Sequence, residues 1–139
     1  VSDSARVNYK SIRANGKFSP FQEFWVKPSG SAHFTKAIVI LTSDRTASAA
    51  EDFTLALSQF SHATIIGTNT KGMFSDTYSF VLPNKMEVSL SNQLYYDLNK
   101  DVLEDKGVRP TIEIRNTRKD FEAKADAVLA KAFEHLKIN

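Results

Sequence analysis

The central part of the chain has the hydrophobic pattern of a βαβ unit. Residues 36–41 contain a short apolar run, which follows Lys36 and is typical of a buried strand in a parallel sheet. A second run of this kind covers residues 63–67. Between them, apolar residues recur at the spacing of one helical face: Ala50, Phe53, Leu57 and Phe60. Strand, helix and strand follow one another within roughly 30 residues, so we predict a βαβ unit with a right-handed crossover.

The pattern changes after Gly67. Residues 68–75 read as a polar loop, and apolar residues then alternate with polar ones on both sides of residues 83–85, which predicts an antiparallel β-hairpin. Residues 93–98 and 111–114 are candidate short strands. The final segment, 118–137, predicts one amphipathic helix that docks on the sheet through Phe121, Ala125, Val128, Leu129, Ala132 and Leu136.

The beginning of the chain is less regular. Residues 1–24 are mixed and polar, and we interpret them as a poorly defined lead-in segment. The four aromatic residues near its end are too irregularly spaced for an amphipathic helix. The pattern as a whole predicts a single α/β domain over residues 1–139, with an added hairpin and a C-terminal helix. Since the chain begins with Val1, we expect it to be a piece of a longer protein.

Composition narrows the possible functions. The chain is 42% hydrophobic and has a net charge of only +2, with its basic residues scattered along it. This argues against binding of a nucleic acid. The longest apolar run, residues 37–41, is far too short to span a membrane. The absence of cysteine excludes disulfides, Cys-ligated zinc and a cysteine nucleophile. No cluster of metal ligands is visible either, and we predict no cofactor.

The segment Thr46-Ala47-Ser48-Ala49-Ala50-Glu51 is the strongest candidate for chemistry. A serine between alanines at a strand-to-helix junction is open to a substrate carbonyl. The start of the helix favours a developing anion, and unpaired N–H groups there can form part of an oxyanion hole. Serine is also a preferred N-cap residue, so local chemistry leaves open whether Ser48 is a nucleophile or only caps the helix.

The order of five short motifs resembles the C-terminal-processing, or tail-specific, serine peptidases and their tricorn-core relatives. The motifs are an apolar strand at 38–41, Thr46 to Glu51, Ala63 to Gly67, Thr70 with Gly72, and Gly107-Val108-Arg109-Pro110. The resemblance implies a Clp-protease/crotonase-like βαβ core of which this chain is the C-terminal part. It also implies that Ser48 is the nucleophile and that the Ala49 N–H is an oxyanion donor.

The general base that the resemblance implies is not evident. In the tail-specific branch a lysine follows the Thr-x-Gly motif directly, but Met73 stands there and cannot accept a proton. Lys71 is an unfavourable substitute because neighbouring loop residues usually diverge in direction. In the tricorn-like branch the base is a histidine from well upstream, and a glutamate beyond the hairpin belongs to the charge relay. Glu104 stands where that glutamate is expected, although its charged surroundings are equally typical of a solvated loop.

The three histidines are weak candidates for the base. His62 lies about 20 Å from Ser48 if the helix continues that far. His62 and His135 each suit a helix C-terminus, where a histidine interacts favourably with the helix dipole. His33 is geometrically possible but has no counterpart in the family. We therefore expect the base, and the second oxyanion donor from a Gly-rich segment, to lie outside this chain.

Three functions remain open. The first is a serine peptidase fragment that acts on polypeptides which are unfolded or have an exposed C-terminus. The second is a family member without catalysis that binds a peptide or ligand, as the methionine at position 73 suggests. The third is a crotonase-like enzyme that acts on acyl-CoA. The resemblance favours a location in the periplasm or cell envelope, and the sequence does not indicate an oligomeric state.

Overall fold

The protein, in a computed structural model, is described over residues 4–30 and 34–137. Val1 and the candidate base His33 lie outside the described residues. The elements, in chain order, are β1 (Ala5–Ala14), β2 (Lys17–Phe18), β3 (Gln22–Val26), β4 (Ile38–Thr42), α1 (Ala49–Leu57), β5 (Ala63–Gly67), β6 (Thr77–Val81), β7 (Glu87–Ser91), β8 (Gln93–Tyr96), β9 (Ile112–Glu113), α2 (Arg118–Glu122) and α3 (Ala127–Leu136).

From Ala5 onward the chain forms an antiparallel sheet, which corrects the expectation of a poorly defined lead-in for the described part of residues 1–24. Strand β1 pairs with β2, β3 and β8. The pairing of β1 with β3 shifts register between Arg6 and Asn8, and the consecutive residues Val7 and Asn8 are both fully buried. A bulge of this kind interrupts the strict alternation of strand faces, which is the signal that a sequence pattern uses to find a strand.

The predicted βαβ unit is present. Strands β4 and β5 pair in parallel, and α1 connects them. Strand β9 adds to the other edge of β5, also in parallel, so this sheet has the order β4-β5-β9. Strands β6 and β7 form the predicted antiparallel hairpin. The mixed α/β class predicted from the sequence is therefore confirmed.

One apolar core joins the two larger sheets through α1. Its members are buried side chains from both sheets, from α1 and from the loops that follow β5 and β8: Val7, Ile40, Leu55, Ile65, Phe74, Tyr95, Leu103 and Val108. The core holds the loop of residues 70–75 close to residue 48. Phe74 of that loop is buried in the same cluster as Ile40, which precedes Ser48, and Leu55, which follows it. Among the described residues, no helix has the length and hydropathy that crossing a bilayer requires.

The buried face of α1 differs from the predicted one. The residues buried in the helix are Glu51, Thr54 and Leu55, whereas Ala50 is exposed and Phe53 is 60% exposed. The cause is Glu51. Because its carboxylate accepts hydrogen bonds from donors in the protein interior, the helix face that carries Glu51 is the buried one. The helix also ends at Leu57, so Phe60 and His62 lie in the turn that follows it.

The C-terminal segment forms two helices where the pattern predicted one. Helix α2 ends near Ala123, and Lys124 adopts a left-handed conformation with φ 53°. Asp126 then caps α3 by accepting a hydrogen bond from the Leu129 N–H. Only Ala132 of the predicted apolar face is fully buried, and Phe121 is 69% exposed. Helix α3 contacts β4 and β5, so docking on the parallel sheet is retained.

Candidate active site

Ser48 lies at the start of α1, on the side of the parallel sheet where β4 ends. It holds the N-cap position with φ 56° and ψ −128°, a conformation that non-glycine residues rarely adopt. Its side chain makes no capping hydrogen bond to the helix, and the residue is exposed. A strained backbone at a strand-to-helix turn, with an exposed hydroxyl, is the arrangement in which enzymes commonly present a nucleophilic serine.

Two acceptors hold the Ser48 backbone in this conformation. Its N–H donates to the Met73 carbonyl at 2.9 Å and to Glu51 Oε2 at 3.0 Å. A second bond fixes the same loop against the turn, because the Lys71 N–H donates to the Thr46 carbonyl at 2.9 Å. The loop of residues 70–73 thus fixes the shape of the turn that presents Ser48.

The Glu51 carboxylate connects this turn with that loop. It is fully buried and accepts four hydrogen bonds. Oε1 accepts from the Thr70 hydroxyl and from the Gly72 N–H, both at 2.6 Å, and Oε2 accepts from the N–H groups of Ser48 and Met73 at 3.0 and 2.8 Å. A carboxylate accepts on both oxygens, so it satisfies all four donors at once. Glu51 therefore positions Ser48 from inside the protein.

Thr70 and the two glycines near it complete the support. The Thr70 hydroxyl accepts from the Val108 N–H at 2.6 Å while it donates to Glu51. A side chain on Gly107 would lie 2.4 Å from the Thr70 carbonyl oxygen, and one on Gly72 would lie 2.7 Å from the Lys106 nitrogen. Both glycines also have positive φ. The Thr-x-Gly and Gly-Val motifs thus consist of residues that allow two loops to approach closely beneath Ser48.

Sequence reasoning missed the role of Glu51. In the sequence, Glu51 is recognised only as the last residue of the motif around Ser48. The available signal was the spacing Ser48-x-x-Glu51, the capping-box pattern in which a glutamate three residues after the N-cap accepts from the N-cap N–H. That bond is present. The three further donors come from Thr70, Gly72 and Met73, and no local pattern predicts them.

The Ala49 N–H follows Ser48 directly at the first turn of the helix. Among the hydrogen bonds of residues 4–30 and 34–137, it donates to no acceptor. A free N–H next to an exposed serine hydroxyl, at the positive end of a helix dipole, suits an oxyanion.

Glu104 lies on the loop after β8 and is half-buried. Its Oε1 lies within hydrogen-bond distance of the Ser75 hydroxyl, whose single proton is shared between Glu104 and the Gln93 carbonyl, 2.6 Å from Ser75 Oγ. The next residue, Asp105, donates its N–H to the Gly72 carbonyl at 2.9 Å. Glu104 is therefore tied to the 72–75 segment that also contacts Ser48, and it is not a freely solvated loop residue.

The other residues considered as a base for Ser48 are exposed in the neighbouring loop or lie far from Ser48 in the parallel sheet. Met73 is half exposed and contributes its backbone, and Lys71 is exposed. His62 precedes β5, and its backbone carbonyl accepts from the Ile38 N–H at the opposite end of the parallel sheet from Ser48. The His135 ring hydrogen-bonds to Thr64 Oγ1 at 3.1 Å. Neither described histidine is placed to serve Ser48.

Asp52, on the same helix as Glu51, has an unusual pKa. Asp52 follows Glu51, and its burial, together with the negative charge of Asp76, raises its pKa from 3.8 to about 6. Burial and Asp76 also raise the pKa of Tyr95. In the described part of the chain, no group of three or more His, Cys, Asp or Glu side chains is arranged to hold a metal ion.

Comparison with known proteins agrees with the motifs. The family model described as peptidase family S41 matches residues 2–114. An uncharacterised protein of Chlamydia muridarum is 30% identical over 99 residues, which cover 69% of this chain and 16% of that protein. The predicted resemblance to the C-terminal-processing peptidases is confirmed.

Two solved structures share the fold. A candidate peptidase of Parabacteroides merdae matches 98% of this chain with a TM-score of 0.87 at 22% identity. The photosystem II D1 C-terminal processing protease matches 79% with a TM-score of 0.57 at 20% identity. The chain spans 44% and 28% of these two proteins, so it corresponds to less than half of either.

Proposed function

Because the chain belongs to peptidase family S41, we propose that it carries the nucleophile side of a serine peptidase site. In this proposal Ser48 attacks a peptide carbonyl, and the Ala49 N–H stabilises the oxyanion. The observation that carries the proposal is the Ser48 turn: a strained, exposed serine at the start of a helix, next to an N–H without an acceptor. Glu51 and the 70–73 loop hold it in place.

The chemistry follows that of other serine peptidases. A general base takes the Ser48 proton as Oγ bonds to the carbonyl carbon, and the negative charge moves to the carbonyl oxygen. The leaving amine receives the proton as the C–N bond breaks, and water then hydrolyses the ester on Ser48. One oxyanion donor is worth about 10²–10³-fold in rate. The substrate is a polypeptide that is unfolded or has an exposed C-terminus, in keeping with the family.

In this proposal the general base comes from a part of the protein outside this chain, because the described residues place no suitable base beside Ser48. Met73 cannot accept a proton, and His62 and His135 lie elsewhere. An imidazole supplied from elsewhere would need a carboxylate to orient it, and Glu104, held by Ser75, is the candidate.

The molecular surface supports the idea of a larger catalytic core. The accessible surface is 9788 Å², whereas a compact monomer of 15.5 kDa is expected to expose about 7200 Å². Large apolar side chains are exposed on helices and loops, among them Phe34, Phe53 and Phe133. A surface of this kind suits a chain that packs against further protein.

The test uses the complete gene product and a fluorophosphonate probe, which modifies activated serines. We expect labelling at Ser48, and we expect Ser48→Ala to abolish both labelling and peptidase activity. Ser43→Ala, at an exposed serine of the same turn, is the matched control and should retain labelling. Peptidase activity that survives Ser48→Ala would show that another residue is the nucleophile.

A second candidate function is favoured by Met73. A family member in which methionine replaces the catalytic lysine of the tail-specific branch can bind peptides without cleaving them. This alternative predicts peptide binding by the complete protein with neither probe labelling nor turnover. The labelling experiment therefore distinguishes the two candidates.

A further inference from the structure

The segment that leads from β4 to Ser48 is short and lies on the surface. Residues 43–45 are exposed, so packing against the core does not hold them. The segment begins at a fixed point, because Thr42 at the end of β4 is bonded to Thr68. The Thr68 N–H donates to the Thr42 carbonyl at 3.0 Å, and the Thr42 hydroxyl donates to the Thr68 carbonyl at 2.8 Å. Hydrogen bonds must therefore fix the path from this point to Ser48.

Thr46 ties the segment together through three of its atoms. Its N–H donates to the Ser43 carbonyl at 2.9 Å, and its hydroxyl oxygen accepts from the Ser43 N–H at 3.0 Å. These two bonds close a turn over residues 43–46. The Thr46 carbonyl accepts from the Lys71 N–H at 2.9 Å, which joins this turn to the loop of residues 70–73.

The hydroxyl makes the bond that depends on the residue type at position 46. Every residue except proline has the backbone N–H and carbonyl that make the other two bonds. The bond from the Ser43 N–H needs a side-chain acceptor on a short side chain, which threonine and serine have and valine lacks. Without that acceptor the turn keeps one of its two closing bonds, at an exposed place where water competes for it.

The backbone at Ser48 is held from both directions along the chain. On the helix side, the Ser48 N–H donates to Glu51 Oε2 at 3.0 Å and to the Met73 carbonyl at 2.9 Å. On the strand side, only Ala47 separates Ser48 from Thr46 and its bonds to the turn and the loop. A sparsely populated backbone conformation such as that of Ser48 persists where its surroundings fix it from more than one direction.

We propose that Thr46 is a positioning residue for the Ser48 nucleophile and that it acts through its hydroxyl, which closes the turn before Ser48. The catalytic part of this inference rests on the proposed function of Ser48, whereas the conformational part does not. Thr46 does not touch the substrate. Because a displacement of about 1 Å at the reacting atoms can cost about 10²-fold in rate, its loss should lower kcat more than it raises KM.

The first test uses the complete gene product and measures the rate of fluorophosphonate labelling together with kcat and KM. Thr46→Val removes the hydroxyl and keeps the shape of the side chain, and we expect labelling and kcat to fall at least about tenfold. Thr46→Ser keeps the hydroxyl and should label close to the wild-type rate. Thr117→Val is the matched control, because the Thr117 hydroxyl oxygen also accepts a backbone N–H, that of Asp120, but at the start of α2. It should label like the wild type.

Three outcomes of this test would overturn the proposal. A wild-type labelling rate in Thr46→Val would show that the hydroxyl is not needed. An equal loss in Thr46→Ser would show that the effect does not come from the hydroxyl. An equal loss in Thr117→Val would show that it comes from a general loss of stability.

A second test separates this inference from the proposed function. Amide hydrogen exchange in the 139-residue chain reports local opening of the turn. In Thr46→Val we expect the Ser48 and Lys71 amides to exchange at least about tenfold faster, while the amides of β5 keep their wild-type rates. If the wild-type protein is not labelled at Ser48, the proposed function fails, and this exchange measurement still decides whether Thr46 holds the turn. Unchanged exchange at both amides would refute the positioning role.

Discussion

Replacement of Glu51 by glutamine tests whether one buried carboxylate holds the Ser48 turn. The carboxylate accepts from four donors at 2.6–3.0 Å. A glutamine side chain offers one oxygen and one NH₂ group, so two of the four donors would face another donor. Each lost hydrogen bond to a charged acceptor is worth about 1.5–3 kcal/mol, which predicts a loss of about 3–6 kcal/mol in the free energy of unfolding. That is a large part of the 5–15 kcal/mol typical of a domain.

The assay is urea unfolding of the 139-residue chain, followed by circular dichroism. Glu122→Gln is the matched control, because Glu122 is exposed and, within residues 4–30 and 34–137, its side chain pairs only with Arg118 on the surface, at 2.8 Å. We expect it to change stability by no more than about 0.5 kcal/mol. The Glu51 variant should also shift the amide resonances of residues 70–73. A loss below about 1 kcal/mol, or one equal to that of the control, would refute the reasoning.

Two further predictions concern other carboxylates. Because the folded protein raises the pKa of Asp52 from 3.8 to about 6, the folded state binds more protons than the unfolded state between these values, and stability falls as the pH rises through this window. A full shift corresponds to about 3 kcal/mol, and solvent screening of this half-buried group reduces it to about 1–2 kcal/mol. Asp52→Asn should remove that part of the pH dependence in unfolding measured from pH 4 to 7, and an unchanged slope would contradict the assignment. In the complete gene product, Glu104→Gln should lower kcat by more than tenfold if Glu104 orients the base, since acid–base roles are worth about 10²–10⁴-fold. A wild-type rate would show that Glu104 does not orient the base and that its role is structural, through its hydrogen bond with Ser75.

The elements that the sequence predicted well are those whose signal is local. Strand β5 was predicted over the residues that form it, because a short apolar run in a parallel sheet needs no alternation to be recognised. The hairpin of β6 and β7 shows the apolar–polar period of two that predicts a strand, although nearly all residues of both strands are exposed. The motif around Ser48 was visible because its small residues and its position before a helix belong to one continuous segment.

The elements that were missed depend on distant partners. Strand β1 is buried at both Val7 and Asn8 because of a bulge against β3, and a bulge removes the alternation that would reveal a strand. The break between α2 and α3 occurs at Lys124, which adopts a left-handed backbone conformation. The helix propensity of lysine does not predict such a break.

For the candidate site, the sequence by itself determined the chemistry that is available: a serine between alanines at a helix start, no cysteine and no lysine after Thr-x-Gly. Only the tertiary structure decided how that serine is held. Glu51 would be an ordinary helix-opening acid if Thr70, Gly72 and Met73 did not lie against it. The hydrogen bond from Asn8 Nδ2 to Asp52 Oδ1 likewise exists only because β1 packs on α1. The reason is physical: a buried polar group is defined by the partners that reach it, and those partners come from segments that are far apart in the chain.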